Sequence, residues 1–225
     1  MFKHEKQYLQ PVRIDRPNPA YAALLQEQLG GPQGEMKSAM QYFAQSMRMR
    51  DPEVRDLFMD IAAEELCHME MVAAAVSQLN GEDPDKAEPA PGNVEAKILS
   101  GGAPMLANAS GYLWTAAYVN VTGDPAADIL SDIAAELRAK AVYQHLYRQI
   151  DDRGVREMID FLLNREEAHN TLLREAFEKI RDKAGILDHW GETEDSRIYF
   201  DLSRKDRHDS KHFGENMKQP PEFRS

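Results

Sequence analysis

The sequence predicts an all-α protein built as a four-helix bundle, and three observations carry that prediction. Glu65 and His68 stand three apart in one helix-forming run, so on a helix both project from nearly the same face. The same spacing returns about a hundred residues later as Glu166 and His169 in a second run. Two further runs each offer a glutamate, Glu35 and Glu136. A lone Glu on each of two helices, with a Glu-x-x-His on each of the other two, is an arrangement that holds a pair of metal ions inside a bundle.

The totals are compatible with this. The chain has 225 residues, enough for one sizeable domain or two small ones, and 42% hydrophobic with 29% charged residues suits a soluble globular protein. A net charge of −11 argues against nucleic acid as a partner, because phosphates would be repelled. The single cysteine allows no internal disulfide, which favours a reducing compartment. Met1 to Gln10 has no apolar core of a signal peptide, and no stretch approaches the roughly 20 apolar residues of a membrane span. A cytoplasmic location is expected.

In chain order, residues 1–19 carry Pro11, Pro17 and Pro19 and read as an extended arm. A short helix, Tyr21 to Leu29, stops at Gly30-Gly31-Pro32. The first bundle helix is expected from Gly34 to about Arg50, with Met36, Met40, Phe43 and Met47 as its core-facing stripe. Asp51-Pro52 ends it and opens the second, which runs to Leu79 before Asn80-Gly81. Residues 81–123 are rich in Pro and Gly and read as a long crossover, with one helical turn at 94–99; Tyr112 to Val121 has no single preferred state. The third helix runs from Asp124-Pro125 to about Ile150 and the fourth from Gly154 to about Lys183. The bundle thus spans 20–183, and residues 184–225 form a polar tail that either packs on a neighbouring subunit or stays loose.

Alanines beside Glu136 imply close packing and an inward carboxylate. Several glutamates and two histidines facing one core would each cost several kcal/mol in desolvation unless cations were present. Imidazole with carboxylate suits manganese, iron or zinc.

Gly34-Glu35, Glu65-Leu66-Cys67-His68, Glu136 and Arg165-Glu166-Glu167-Ala168-His169 together resemble the manganese catalases, a ferritin-like dimanganese family. The 33-residue step from Glu136 to His169 and the Thr122-Gly123-Asp124-Pro125 lead-in match as well, and the resemblance covers about residues 1–205. It implies that Glu35, Glu65, His68, Glu136 and His169 ligate two manganese ions per subunit. Glu35, Glu65 and His68 would serve one ion and the shared space, and Glu136 and His169 the other. It implies that Glu166 is an acid/base beside the metals, not a ligand, and that Tyr42 hydrogen-bonds a ligand carboxylate. The implied activity is disproportionation of hydrogen peroxide to water and dioxygen, with the pair cycling between Mn(II)₂ and Mn(III)₂. Relatives form homohexamers, so a homo-oligomer is expected.

The resemblance also points to a calcium site at Asp56, Asp60, Asp201 and Ser203, although Lys205 stands where the family pattern has glycine. Two rival functions share the bundle: a structural protein, since spore-coat components have this core, and a di-iron oxidase or ferroxidase. Glu64, Glu70, Glu167 and Glu175 read as solvated, and Cys67 as a packing residue. His4, His145, His189, His208 and His212 have no partner spacing and read as surface residues.

Overall fold

Proline and aspartate punctuate the chain and set where its helices begin. The computed structural model describes residues 5–81 and 104–181, with the backbone of Tyr199–Phe200 and Met217–Lys218. Among them are five α-helices: α1 (Pro19–Gly30), α2 (Glu35–Ser46), α3 (Pro52–Asn80), α4 (Pro125–Gln149) and α5 (Arg153–Ile180). Asn18, Asp51, Asp124 and Asp152 cap α1, α3, α4 and α5, each side chain accepting from backbone N–H groups of the first turn. Such a cap is worth about 1 kcal/mol, and proline in the first turn of α1, α3 and α4 removes a donor that would have no partner.

Helices α2 and α3 form one hairpin and α4 and α5 the other; α3 meets α5, α2 meets α4, and α1 lies on α3. Along the bundle the core has two apolar clusters. One gathers Val54, Phe58 and Ile61 of α3 with Ile129 and Ile133 of α4 and Leu173 and Ala176 of α5. The other gathers Met71, Val72 and Val76 with Tyr143 and Leu146, Met158 and Leu162, and reaches Leu25 and Leu29 of α1. Between them, on α3, α4 and α5 alike, lie the buried residues Glu65, His68, Glu136, Glu166 and His169. Apolar layers above and below hold a polar layer out of water.

The structure corrects the expectation for α2. The Met36, Met40, Phe43 and Met47 stripe is not its core face: Phe43 and Met47 are exposed, and Met36 and Met40 are only partly covered. The buried face is Glu35, Lys37, Ser38, Gln41, Tyr42 and Gln45. Periodicity located a stripe correctly and assigned it to the wrong side, because the polar face is needed inside. The helix also ends at Ser46, four residues earlier than expected, where the Ser46 hydroxyl donates to the Phe43 carbonyl at 2.7 Å.

The arm is bound to the bundle rather than loose. Val12 is buried, the Asp15 N–H donates to Asp152 at 2.9 Å, and the Arg153 N–H donates back to Asp15 at 3.1 Å. Gly154 makes this possible, because a Cβ there would lie 2.1 Å from the Arg13 carbonyl oxygen. Gly154→Ala is therefore expected to cost about 1–3 kcal/mol, the range for overpacking against backbone. A thermal melt showing no decrease would contradict this docking of the arm.

Residues 82–103, including the helical turn expected at 94–99, lie outside the described residues. The remainder of the crossover has a 3-10 turn at Ala116–Tyr118 and a single bridge between Ala107 and Leu113, in keeping with its mixed sequence. Residues 185–225 form a separate unit, in which β1 (Tyr199–Phe200) and β2 (Met217–Lys218) pair antiparallel. Among the described residues no helix is long and apolar enough to cross a membrane.

Candidate metal centre

The two Glu-x-x-His pairs converge in the polar layer, where the structure places Glu35, Glu65, His68, Glu136 and His169 together. Donor atoms of Glu35, Glu65, His68 and Glu166 lie within 4.8 Å of one another, as do those of Glu65, Glu136 and His169. Glu65 belongs to both groups and joins them. All six side chains are buried, none more than 3% exposed. The Nδ1 atoms of the two imidazoles face the cluster: His169 approaches Glu65 at 2.9 Å and Glu136 at 3.8 Å, and His68 approaches Glu65 at 3.4 Å and Glu35 at 3.9 Å. Their rings stack at 5.6 Å.

These donors fit a pair of cations. Both Glu65 oxygens, both nitrogens of each histidine, and one oxygen each of Glu136 and Glu166 lack a well-formed hydrogen bond among the described residues. Such atoms, buried together, are costly unless something positive binds them. In the metal-free chain protons take that part. Burial, then the charge of Glu65, pushes Glu35 well above the carboxylate range; burial, then Glu136 and Glu65, does the same to Glu166. Burial would lower His169, but contacts with Glu136, Glu64 and Glu65 push it up to about 12. Metal ions displacing those protons would meet an arranged ligand set.

Tyr42 is where expected: its hydroxyl donates to Glu136 across the α2–α4 seam. The sequence reading missed the mirror-image contact, Tyr143 donating to Glu35. A signal for it existed. Glu35, Tyr42, Glu65 and His68 recur as Glu136, Tyr143, Glu166 and His169, each 101 residues on, as do the capping Asp51 and Asp152. The two hairpins are an internal repeat, each tyrosine crossing over to hold the other hairpin's glutamate. Burial foremost, with the adjacent carboxylate, raises both phenols well above their usual range and keeps them donors.

The repeat breaks at Glu64, whose counterpart is Arg165, and here the structure overturns a second expectation. Glu64 is not a solvated side chain. Its carboxylate spans both histidines on the side away from the cluster, 3.4 Å from His68 Nε2 and 3.3 Å from His169 Nε2. Arg165 grips the same carboxylate with Nε at 2.5 Å and a terminal nitrogen at 3.3 Å. Burial would raise Glu64, but bonds with His169, His68 and Arg165 outweigh that and hold it ionised. One carboxylate orients both imidazoles, the usual task of a group behind a metal-binding histidine. A local stripe could not reveal it, because its partners come from two helices. Glu167 and Glu175 are exposed as expected, and so is His145. Asp56 and Asp60 are exposed, while Asp201 and Ser203, the other half of the expected calcium site, lie outside the described residues.

One helical turn before Glu136, Asp132 is fully buried and accepts from Gln41 at 2.6 Å and Gln45 at 3.2 Å. Burial above all pushes its carboxyl up to about 8, against the opposing effect of the two amides and Lys37. An acid raised in the fold contributes its stabilisation below its ordinary pKa and loses it as pH rises through the folded value. Asp132→Asn keeps an oxygen for both glutamines and has no proton to lose. In the metal-free protein its melting temperature, relative to wild type, is expected to be higher at pH 9 than at pH 5; a constant difference would contradict the assignment.

Fold and centre together define a class, the ferritin-like helical bundles with a carboxylate–histidine site for two metal ions. The family described as manganese containing catalase matches residues 1–224, and the chain belongs to that family. Its relatives include a probable manganese catalase of Clostridium acetobutylicum, 56% identical over 92% of this chain and 93% of that one. The CotJC protein of Bacillus subtilis is 36% identical over 81% and 96%. Among solved structures, KatB, a manganese catalase from Anabaena, superposes with a TM-score of 0.80 at 29% identity, covering 94% of this chain and 96% of that one.

Proposed function

We propose that this chain disproportionates hydrogen peroxide to water and dioxygen at a dimanganese centre. Glu35, Glu65, His68, Glu136 and His169 would hold the two ions, with Glu65 the residue common to both donor groups. The observation that carries this reading is the donor set itself, two carboxylate–histidine groups joined through Glu65 and sealed between apolar layers. When bound, the manganese pair supplies two-electron redox chemistry, reducing one peroxide and oxidising the next.

The chain's own residues handle geometry and protons. Reducing one peroxide to two waters consumes two protons, and oxidising the next to dioxygen releases two. Glu166 lies among the donors with one oxygen free and its carboxyl raised by burial, so it can hold a proton released in one half and return it in the other. Tyr42 and Tyr143 fix Glu136 and Glu35, and Glu64, clamped by Arg165, fixes both imidazoles. The apolar clusters exclude bulk water and keep the exchange paired.

A homo-oligomer is part of the proposal, since Phe43 and Met47 of α2 and Leu130 and Leu137 of α4 remain exposed on the single chain. The test is oxygen evolution from the manganese-loaded protein with an oxygen electrode. One O₂ for every two peroxides consumed supports the reading. A protein that holds manganese and releases no oxygen overturns it in favour of the structural role, and oxygen chemistry with iron alone favours the di-iron reading.

A further inference from the structure

The 101-residue repeat makes the two histidines alike on the side that faces the cluster, but not on the side that faces away from it. Behind His68 stand Glu64, four residues earlier on α3, and the Phe161 ring, perpendicular to the imidazole with 6.4 Å between centroids. A contact at i, i+4 is made within one helix and needs no neighbour to bring it together. Behind His169 the corresponding positions are Arg165 and Asp60. Arginine cannot accept a hydrogen bond, and Asp60 is exposed. His169 therefore takes its carboxylate from the other helix: Glu64 of α3 lies 3.3 Å from its Nε2.

That contact has to be held across the seam between α3 and α5, and Arg165 is placed to hold it. Its Nε donates to Glu64 Oε1 and a terminal nitrogen to Oε2, so the guanidinium touches both oxygens. A two-point grip fixes the plane of a carboxylate as well as its position. Oε1 is thereby kept beside His68 and Oε2 beside His169. The Arg165 and Glu64 side chains are 34% and 25% exposed and line a groove open to solvent with Leu9, Cys67 and Phe161. Water there screens the arginine's charge, so it acts on the centre by where it puts Glu64 more than by its field.

We propose that Arg165 is a positioning residue for one of the two metal ions, the one served by Glu65, Glu136 and His169. This rests on the dimanganese reading above. Without the grip, Glu64 remains beside His68 on its own helix, while His169 loses the group that settles its ring orientation and which nitrogen carries the proton. The donor group containing His68 keeps both its carboxylate and its Phe161 contact. Two sites that the repeat makes nearly equivalent then become unequal. Losing such a partner behind a metal-binding histidine lowers affinity by about 10–100-fold, and here the loss falls on one ion.

The test is Mn(II) titration of the full chain, followed by electron paramagnetic resonance, in wild type, Arg165→Met, Glu64→Gln and the double variant. Arg165→Met keeps the stem and loses the donors, and circular dichroism checks that each variant is folded. In Arg165→Met one manganese should bind as in wild type and the second about 10–100-fold more weakly, with an uncoupled single-ion spectrum up to one equivalent. Anomalous X-ray scattering from crystals grown with limiting manganese should place that first ion with Glu35, Glu65 and His68. Glu64→Gln should weaken both ions, and adding Arg165→Met to it should cause no further loss, because the arginine acts through Glu64. If Arg165→Met does not fold, Arg165→Lys carries the test with the same inequality, since one ammonium cannot replace the two-point grip. Equal affinities for the two ions in the Arg165 variant, or a further loss in the double variant, overturns the positioning role and leaves the dimanganese reading standing. A wild type that binds fewer than two manganese per chain overturns that reading itself.

Discussion

Replacing Glu65 by alanine is expected to reduce oxygen release to background and to deprive the protein of its coupled metal pair. Glu65 is the residue common to both donor groups, and both imidazole Nδ1 atoms approach it, His169 at 2.9 Å and His68 at 3.4 Å. Without it the first group falls from four donor residues to three, the second from three to two, and no residue joins them. The helices should survive, because the apolar clusters on either side of the polar layer do not depend on Glu65. Metal analysis and circular dichroism separate the two effects. A Glu65→Ala protein with full manganese content and wild-type oxygen release would contradict the assignment.

Glu166→Gln is expected to act differently. The amide keeps the size of the side chain and cannot exchange a proton, so bound manganese should be retained while kcat falls by about a hundredfold to ten-thousandfold, the usual contribution of a positioned acid/base. Glu166 lies with Glu35, Glu65 and His68 within one donor group, so metal content is the deciding control. If the glutamine variant loses manganese along with activity, Glu166 is a ligand and the proton role moves elsewhere. Normal turnover with normal metal would leave Glu166 without either task.

Glu65 and Glu166 are both visible from sequence spacing alone. Glu-x-x-His is legible because three residues bring two side chains to one helix face, and the duplication makes accident improbable. Helices α3, α4 and α5 were legible for a related reason: Asp-Pro pairs open two of them, and terminators close them within a few residues of the expected ends. What sequence could not show were the decisions made between helices. The buried side of α2 had to be polar to face the metal layer and Asp132, and that reversed the apparent meaning of its methionine stripe. Glu64 looked like one more surface glutamate until α5 brought His169 and Arg165 against it. Tyr143 is legible only through the 101-residue repeat that pairs it with Tyr42. Lys37 and Asp132 carried no local signal, because a buried charge is recognisable only by what surrounds it.

The central claim is that two metal-binding groups share Glu65 and act as one dinuclear centre. Manganese titration of the purified chain, followed by metal analysis and electron paramagnetic resonance, tests it most directly. The expected result is saturation at two Mn(II) per chain with an exchange-coupled spectrum, the coupling lost in Glu65→Ala. Saturation at one manganese per chain with an uncoupled single-ion spectrum would contradict it.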